Sequence, residues 1–235
     1  MGSSPEISTF ASHSEMVNHV ANAIESALIA RIDGVGCARF AVSGGSTPLT
    51  LYQELAQRDL PWSEVQLMLV DERWVPVNHS RSNEAFVQNA FEKADDLSIQ
   101  GLFSANKTPH EAARALNKKY RDGDCSSFDI VVLGMGNDGH AASWFPHAEG
   151  LNHALETDDV VCAIKAKQSD VTGDEVDRIT LTLSAVESAS LVVLLLAGKA
   201  KWNTLQQALE PGLVEDMPVR AILRARPDIK ICFAP

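Results

Sequence analysis

Residues 128–140 read Phe-Asp-Ile-Val-Val-Leu-Gly-Met-Gly-Asn-Asp-Gly-His, and this stretch decides the fold class. Its first part, 128–133, is an apolar run rich in β-branched residues, which is typical of a buried strand. The second part is a glycine-rich turn that carries Asp138 and His140. In an open α/β sheet, ligands bind in the crevice beyond the carboxyl ends of the strands. The stretch therefore predicts a buried strand that ends in a binding loop with a titratable pair.

The rest of the chain alternates between apolar runs and helical patterns. A capping box at Ser12-His13-Ser14-Glu15 predicts a first helix, and Thr47 followed by Pro48 predicts the cap and first position of a second helix. The expected strands are 39–42, 65–70, 160–164, 179–183, 191–196 and 229–233, and the other expected helices are 82–91, 108–120 and 199–209. This alternation predicts a single α/β domain over residues 1–235, with a mainly parallel, Rossmann-like open sheet and helices on both of its faces.

Composition limits the classes of partner. Hydrophobic residues make up 45% of the chain and charged residues 22%, as in ordinary globular proteins. The net charge of −11 argues against nucleic-acid binding, which depends on Lys and Arg neutralising phosphates. No apolar run reaches the roughly 18 residues that a membrane-spanning helix needs, so we expect no membrane partner. An anionic ligand would therefore need cations concentrated at its site.

The compartment is expected to be the cytoplasm. The first twelve residues are polar and lack the basic and apolar regions of a secretory signal. The four cysteines, Cys37, Cys125, Cys162 and Cys232, show no C-x-x-C spacing. Thiols scattered in this way suit a reducing compartment.

The loop Ser43-Gly44-Gly45-Ser46-Thr47-Pro48 lies between a predicted strand and a predicted helix. Backbone N–H groups at a helix N-terminus attract anions, and two glycines let the backbone approach a ligand closely. The segment is therefore either a phosphate cradle or an ordinary capped turn. It is not a P-loop, since no G-K-[ST] is present.

A second loop, Asp71-Glu72-Arg73-Trp74, follows the strand 65–70. Three charged residues directly after a buried strand form either a solvated turn or a cluster that faces a ligand. Arg81 belongs to the same region and is either a second cationic arm or a surface residue. Further along, Arg178 begins a strand and Lys199 follows another, and each is either an anion partner or a surface charge.

The glycine-rich turn at 134–139 has G-x-G-x-x-G spacing, but its context excludes a dinucleotide fingerprint. Such a site needs a helix after the glycines and an acidic residue at the end of the next strand. Here Pro146 stops any helix almost at once, and Asp158-Asp159 precedes the next strand instead of ending it. What remains is His140 as a plausible general base with Asp138 as its acidic neighbour.

Taken together, these segments resemble the 6-phosphogluconolactonase family. The loops 43–48, 71–76 and 134–146 have its order and spacing, and Arg178-Ile179-Thr180 and Gly198-Lys199 are similar to its later signatures. The resemblance spans nearly the whole chain. It implies hydrolysis of 6-phospho-D-glucono-1,5-lactone to 6-phosphogluconate, on a fold related to glucosamine-6-phosphate deaminase. It implies no metal and no organic cofactor.

The resemblance also assigns roles to residues. His140 would be the catalytic base, Arg73 would face the ligand, and Arg178 and Lys199 would neutralise the phosphate. The chemistry of lactone hydrolysis adds Asp138 and Arg73 to the catalytic set: Asp138 either orients His140 or binds substrate hydroxyls, and either Arg73 or the loop N–H groups stabilise the oxyanion. The other expected substrate-binding residues are Ser43, Gly44, Gly45, Ser46, Thr47, Asp71, Arg81 and Gly136. The sequence departs from the family pattern at Ala141, Trp144 and Asp177, where Thr, Leu and Pro are usual, which leaves the fine shape of the pocket open. The expected partner is a phosphorylated sugar lactone, and the expected assembly is a monomer or a weak homodimer.

Two other functions fit parts of the sequence, namely an amino-sugar phosphate deaminase and a sugar-phosphate-sensing module. Amino-sugar phosphate isomerase-deaminases share the D-G-H core but continue into an Asn-Glu-Pro segment whose glutamate assists the histidine. Here Ser143-Trp144-Phe145-Pro146 occupies that stretch, so the acid is missing. A sugar-phosphate-sensing module would keep the loop at Gly44 but has no need for His140. The polar loop 165–177 is the segment most expected to be a mobile flap.

Overall fold

The computed structural model describes residues 5–121, 127–169 and 171–235. Cys125 and the first four residues of the polar N-terminal stretch lie outside these ranges. In chain order the elements are β1 (Ile7–Thr9), α1 (His13–Val35), β2 (Ala38–Val42), α2 (Ser46–Leu55), a 3₁₀ turn (Trp62–Glu64), β3 (Val65–Leu69), β4 (Asp71–Arg73), α3 (Asn83–Ala90), β5 (Ser98–Gln100), α4 (Pro109–Arg121), β6 (Ile130–Leu133), α5 (Leu151–Glu156), β7 (Val161–Lys165), β8 (Asp177–Leu181), α6 (Leu183–Glu187), β9 (Leu191–Ala197), α7 (Lys199–Leu209), α8 (Val219–Ala225) and β10 (Lys230–Ala234).

Seven of the strands form one parallel sheet in the order β1-β10-β9-β6-β2-β3-β5. From β2 the chain moves outward through β3 to β5, and it then returns to the other side of β2 through β6 and β9. The order therefore reverses between β2 and β6, and ligands of open α/β sheets bind at such a switch point. The expected α/β fold with a mainly parallel sheet is confirmed.

The three remaining strands form a separate antiparallel sheet in the order β4-β8-β7. The sequence did not distinguish these strands from those of the main sheet, because apolar periodicity does not indicate which strand pairs with which. Two backbone bonds through Val70 join the sheets: its N–H donates to the Val42 carbonyl at 2.9 Å, and its carbonyl accepts from the Leu181 N–H at 2.8 Å. The small sheet is thereby fixed beside the carboxyl ends of β2 and β3.

The two predicted helix caps have different outcomes. The cap of α1 is confirmed, since Ser12 Oγ accepts from the Glu15 N–H at 3.2 Å and the Glu15 carboxylate accepts from the Ala11 N–H at 2.9 Å. The predicted cap at Thr47 is wrong, because α2 begins at Ser46 and Gly45 is its N-cap. Gly45 has φ of 110°, a conformation open mainly to glycine, and it starts the helix earlier than Pro48 suggested.

The core is built from strands whose residues are buried throughout and from one face of the long first helix. Every residue of β2 and β6 is buried, which explains why the apolar run 128–133 showed no alternation. Trp144 is fully buried, and its indole N–H donates to the Leu181 carbonyl at 2.9 Å. This anchor holds the segment after the glycine-rich turn against the small sheet. Among the described helices, none combines the length and apolar character needed to cross a membrane.

Candidate active site

A cavity of about 290 Å³ lies at the switch point, beyond the carboxyl ends of β2 and β6. It brings together residues from all three predicted loops and from the small sheet. The predicted site residues that line it are Ser43, Gly44, Gly45, Asp71, Arg73, Gly136, His140 and Arg178. Its other lining residues are Asn83, Gly134, Met135, Ala142, Phe145, Val171 and Lys201. The volume suits one small ligand.

His140 and Asp138 form a hydrogen-bonded pair at the edge of this cavity. The Nδ1 atom of His140 lies 2.5 Å from Asp138 Oδ1, and the His140 backbone N–H donates to the same oxygen at 3.2 Å. Burial opposes ionisation of Asp138, but the hydrogen bonds and charge of His140 outweigh it and lower the pKa of the carboxyl. A carboxylate at Nδ1 favours the tautomer that carries its proton there. Nε2 is then the nitrogen that can accept a proton from a ligand or water.

The glycine-rich turn is shaped by this histidine. A methyl group at Gly136 would overlap the His140 imidazole and the Asp138 carboxylate, so only glycine lets the ring fold back over the turn. The turn is closed by the Gly136 N–H, which donates to the His140 carbonyl at 2.9 Å. The next helix, α5, begins only at Leu151. Gly136 therefore makes room for the imidazole, which agrees with the exclusion of a dinucleotide fingerprint.

Phe145 contacts both the imidazole and a cation. Its ring centroid lies 4.4 Å from that of His140, and the Arg178 guanidinium carbon lies 5.3 Å from the centroid of Phe145. Arg178 is buried, and this burial lowers its pKa to about 10, opposed by the nearby charge of Asp71. The guanidinium remains protonated at neutral pH, so a fixed positive charge lines the cavity beside the same ring that the histidine contacts.

Asn83 links the first two predicted loops, although no pattern in the sequence singled it out. Its side-chain oxygen accepts from Arg73 Nη1 at 2.9 Å, and its side-chain N–H donates to the Asp71 carbonyl at 2.8 Å. A methyl group at Gly44 would overlap the Asn83 side chain. Asp71 is also held by Ser143, whose hydroxyl donates to Asp71 Oδ2 at 2.5 Å. The wall of the cavity is thus a connected polar network.

Glu72 lies beneath this wall and is fully buried. Its carboxylate accepts four hydrogen bonds, from the backbone N–H groups of Arg73, Asn83 and Glu84 at 2.8 Å and from Ser82 Oγ at 3.0 Å. Burial raises the pKa of this carboxyl, against the effect of those bonds. Glu72 therefore connects β4 to the N-terminus of α3 and fixes the backbone at Arg73 and Asn83.

Removing this carboxylate is expected to lower stability. We expect Glu72→Ala to reduce the free energy of unfolding by about 2–4 kcal/mol, because each buried donor left without an acceptor costs about 1–3 kcal/mol. Chemical denaturation at neutral pH measures the change. Glu84→Ala, at the first turn of the same helix, is the matched control and should cost less than about 1 kcal/mol. Equal stability of Glu72→Ala and the wild type would contradict this role.

The lysine at the cavity is Lys201, not the predicted Lys199. Lys199 is exposed and does not line the cavity, whereas Lys201 does and its ammonium donates to the Met135 carbonyl. Burial lowers the pKa of Lys201, and the charge of Asp138 opposes that shift. Each helical residue turns by about 100°, so two positions along α7 place a side chain on the opposite face. Lys199 is the first lysine after Gly198, but the helix directs the second one, Lys201, toward the cavity.

Four other predicted residues also lie outside the lining of the cavity: Asp138, which pairs with His140 at its edge, and Ser46, Thr47 and Arg81. Ser46 is exposed and Thr47 is half-buried, because α2 begins at Ser46 and both residues already belong to its first turn. Only Ser43, Gly44 and Gly45 of that loop reach the cavity. Arg81 was expected to face the ligand, but its guanidinium is directed at the loop 171–175.

The charges of the cavity fit an anionic ligand. Arg73, Arg178 and Lys201 converge on it in a chain whose net charge is −11. Two donors, Ser43 Oγ and Arg73 Nε, are buried without a hydrogen-bond partner among the described residues, and buried polar groups in native proteins are normally paired. Over the same described ranges, no three His, Cys, Asp or Glu side chains are grouped so as to hold a metal ion.

Comparison with known proteins places this chain in a family. The family described as glucosamine-6-phosphate isomerases/6-phosphogluconolactonase matches residues 11–231. The chain is 37% identical over 231 residues to a 6-phosphogluconolactonase of Rhizobium meliloti, covering 96% of this chain and 97% of that one. It is 33% identical to a 6-phosphogluconolactonase of Caulobacter vibrioides, with 97% of both chains covered.

A solved structure shows the same fold. The crystal structure of a 6-phosphogluconolactonase from Shewanella baltica superposes with a TM-score of 0.91 at 34% sequence identity, and the match covers 100% of both chains. The fold is accordingly the one that the resemblance implied. The chain belongs to the glucosamine-6-phosphate isomerase/6-phosphogluconolactonase family.

Proposed function

We propose that the protein hydrolyses 6-phospho-D-glucono-1,5-lactone to 6-phospho-D-gluconate, a step of the oxidative pentose phosphate pathway. The observation that carries this proposal is the cavity itself, where a carboxylate-paired imidazole lies beside converging cations. A phosphorylated lactone needs both features: a base for water and positive charge for phosphate. The relatives at 37% and 33% identity, named as 6-phosphogluconolactonases, support the same conclusion.

His140 acts first as a general base. Its Nε2 takes a proton from water while the water oxygen bonds to the lactone carbonyl carbon, and the carbonyl electron pair moves to the oxygen. The imidazolium that forms is stabilised through Nδ1 by Asp138, 2.5 Å away. We assign the oxyanion to Arg73, since its buried Nε has no other partner among the described residues.

His140 then acts as a general acid. The tetrahedral intermediate collapses, the bond between the carbonyl carbon and the ring oxygen breaks, and the imidazolium gives its proton to that departing oxygen. The products are the open-chain acid and a neutral histidine, so the enzyme returns to its starting state. Such acid–base catalysis contributes about 10²–10⁴-fold to a rate.

The phosphate is assigned to Arg178, Lys201 and the loop at Gly44 and Gly45. Both side chains line the cavity, and the loop leads directly into the N-terminus of α2, where backbone N–H groups and the helix dipole favour an anion. Ser43 Oγ supplies a further donor. Asp71, held by Ser143 and Asn83, is assigned to a sugar hydroxyl as an acceptor.

The protein is further proposed to act in the cytoplasm, as one domain over residues 1–235 and as a monomer or weak homodimer. The free, buried thiols of Cys162 and Cys232 support a reducing compartment, where cysteines remain unpaired. The acidic net charge supports a small-molecule substrate and no nucleic-acid partner.

The experiment is a comparison of two substrates with the purified protein. Hydrolysis of 6-phosphogluconolactone is followed above its spontaneous rate, and ammonia release from glucosamine 6-phosphate is measured in parallel. We expect lactone hydrolysis in proportion to protein concentration and no ammonia. Ammonia release without lactone hydrolysis would instead establish the deaminase reaction, and neither activity would point to a sensing module.

A further inference from the structure

Arg81 has no part in the reaction steps proposed above, but its guanidinium holds the loop 171–175. Its guanidinium contacts the loop 171–175 at two points: Nη2 donates to the Thr172 carbonyl at 3.0 Å, and Nη1 lies 2.9 Å from Glu175 Oε2 as an ion pair without hydrogen-bond geometry. Gly173 allows this approach, because a methyl group there would overlap Arg81 Nη1. The guanidinium is thus committed to the protein on two of its three nitrogens.

The same loop also holds Arg178. The Arg178 Nη2 donates to the Thr172 carbonyl at 2.9 Å, and its Nε donates to the Glu175 carbonyl at 2.7 Å. Thr172 is only 2% exposed, so its carbonyl is a buried acceptor shared by two arginines. Of the three guanidinium nitrogens of Arg178, Nη1 is the one without a partner in the described part of the chain, and it remains for a ligand.

The backbone of Arg81 is coupled to the cavity as well. Its carbonyl accepts from Arg73 Nη1 at 2.8 Å, alongside the Asn83 side chain. One residue outside the cavity lining is therefore joined to both arginines that line it. The backbone carbonyl would survive substitution of the side chain, so the guanidinium can be removed while the bond to Arg73 is kept.

We propose that Arg81 is a positioning residue for phosphate binding: it fixes the loop 171–175 through Thr172 and Glu175, the loop fixes Arg178, and Arg81 itself does not contact the substrate. This inference rests on the proposed function, in which Arg178 binds the phosphate. It replaces the expectation that Arg81 faces the ligand.

Neutralising Glu175 tests the proposal, because the direction of the change in phosphate affinity depends on the role of Arg81. If Arg81 bound the phosphate directly, neutralising Glu175 would free the guanidinium and remove a negative charge, so phosphate binding would tighten. If Arg81 positions the loop, neutralising Glu175 breaks the same link from the other side and weakens phosphate binding. The two roles therefore predict opposite changes from one conservative substitution.

The experiment is a double-mutant cycle of Arg81→Gln and Glu175→Gln, read as KM and kcat for 6-phosphogluconolactone and as the Kd of inorganic phosphate by calorimetry. We expect each single variant to raise KM and Kd by about 3- to 10-fold with kcat within about twofold. The double variant should be no worse than the weaker-binding single variant, because residues that act through one link are not additive. Circular dichroism establishes that each variant is folded.

Asp177→Asn is the matched control. It removes a carboxylate next to Arg178 in the chain, but Asp177 pairs with Lys165 at 3.8 Å and not with Arg81. We expect it to leave KM and Kd unchanged or slightly lower. Tighter phosphate binding by Glu175→Gln, or additive effects in the double variant, would overturn the proposal. Absence of lactone turnover by the wild type would contradict the proposed function alone, since the phosphate Kd values still report the loop.

Discussion

His140→Ala is expected to lower kcat for 6-phosphogluconolactone by about 10²–10⁴-fold, the usual contribution of a general base. The substitution removes the group that, in the proposed mechanism, takes a proton from water and gives it to the ring oxygen. KM should change little, because the phosphate is held by Arg178 and Lys201 elsewhere in the cavity. The measurement is a progress curve corrected for the spontaneous hydrolysis of the lactone.

The fold should survive this substitution. The imidazole is half-buried and its one side-chain hydrogen bond among the described residues is to Asp138, so the loss of unfolding free energy should be near the 0.5–1.5 kcal/mol of an ordinary hydrogen bond. His110→Ala is the matched control, since His110 is exposed near the start of α4. A His140→Ala protein with near-normal kcat would remove this histidine from the mechanism.

Lys201→Met is expected to raise KM by about 10- to 100-fold with a smaller change in kcat. A charge-assisted hydrogen bond contributes about 1.5–3 kcal/mol, and about 1.4 kcal/mol corresponds to a factor of ten in affinity. Methionine keeps the apolar stem of the lysine and removes only the charge. The measurement is the dependence of the initial rate on lactone concentration, with inhibition by inorganic phosphate as a second measure of the same site.

Lys199→Met is the matched control for this prediction, because it removes the same charge two positions away on the exposed face of α7. It should leave KM within about twofold, since exposed charges contribute little. If Lys199→Met raises KM and Lys201→Met does not, the phosphate site has been placed on the wrong side of the helix.

Much of the fold could be predicted because burial leaves a periodic record in the sequence. Residues 130–133 are all apolar because β6 lies in the middle of a parallel sheet, covered on both faces. The antiparallel sheet of β4, β7 and β8 was missed, since strand pairing is set by contacts far apart in the chain. The short strand β1 was missed too, because three residues are too few to show a period.

The lining of the cavity was predicted where residues follow a strand, and not where a side chain comes from a helix. Asp71 comes directly after the predicted strand 65–70 and His140 lies in the turn that follows β6, and the topology brings such strand ends together. Lys201 and Asn83 reach the cavity from the first turns of α7 and α3, where the direction of a side chain depends on the residue at which the helix begins. The bounds of α7 were predicted correctly as 199–209, so the sequence lacked only the face of that helix that borders the cavity, which depends on how the helix packs in the folded chain.

The proposed function is tested most directly by comparing two lactones that differ only in the phosphate. The purified protein is assayed with 6-phosphoglucono-1,5-lactone and with glucono-1,5-lactone, each corrected for spontaneous hydrolysis. We expect enzymatic hydrolysis of the phosphorylated lactone and a kcat/KM at least about 100-fold lower for the other, because at least two charge-assisted bonds to phosphate are lost. Hydrolysis of both lactones at their spontaneous rates would contradict the proposed function, and equal kcat/KM for the two would contradict the proposed phosphate site.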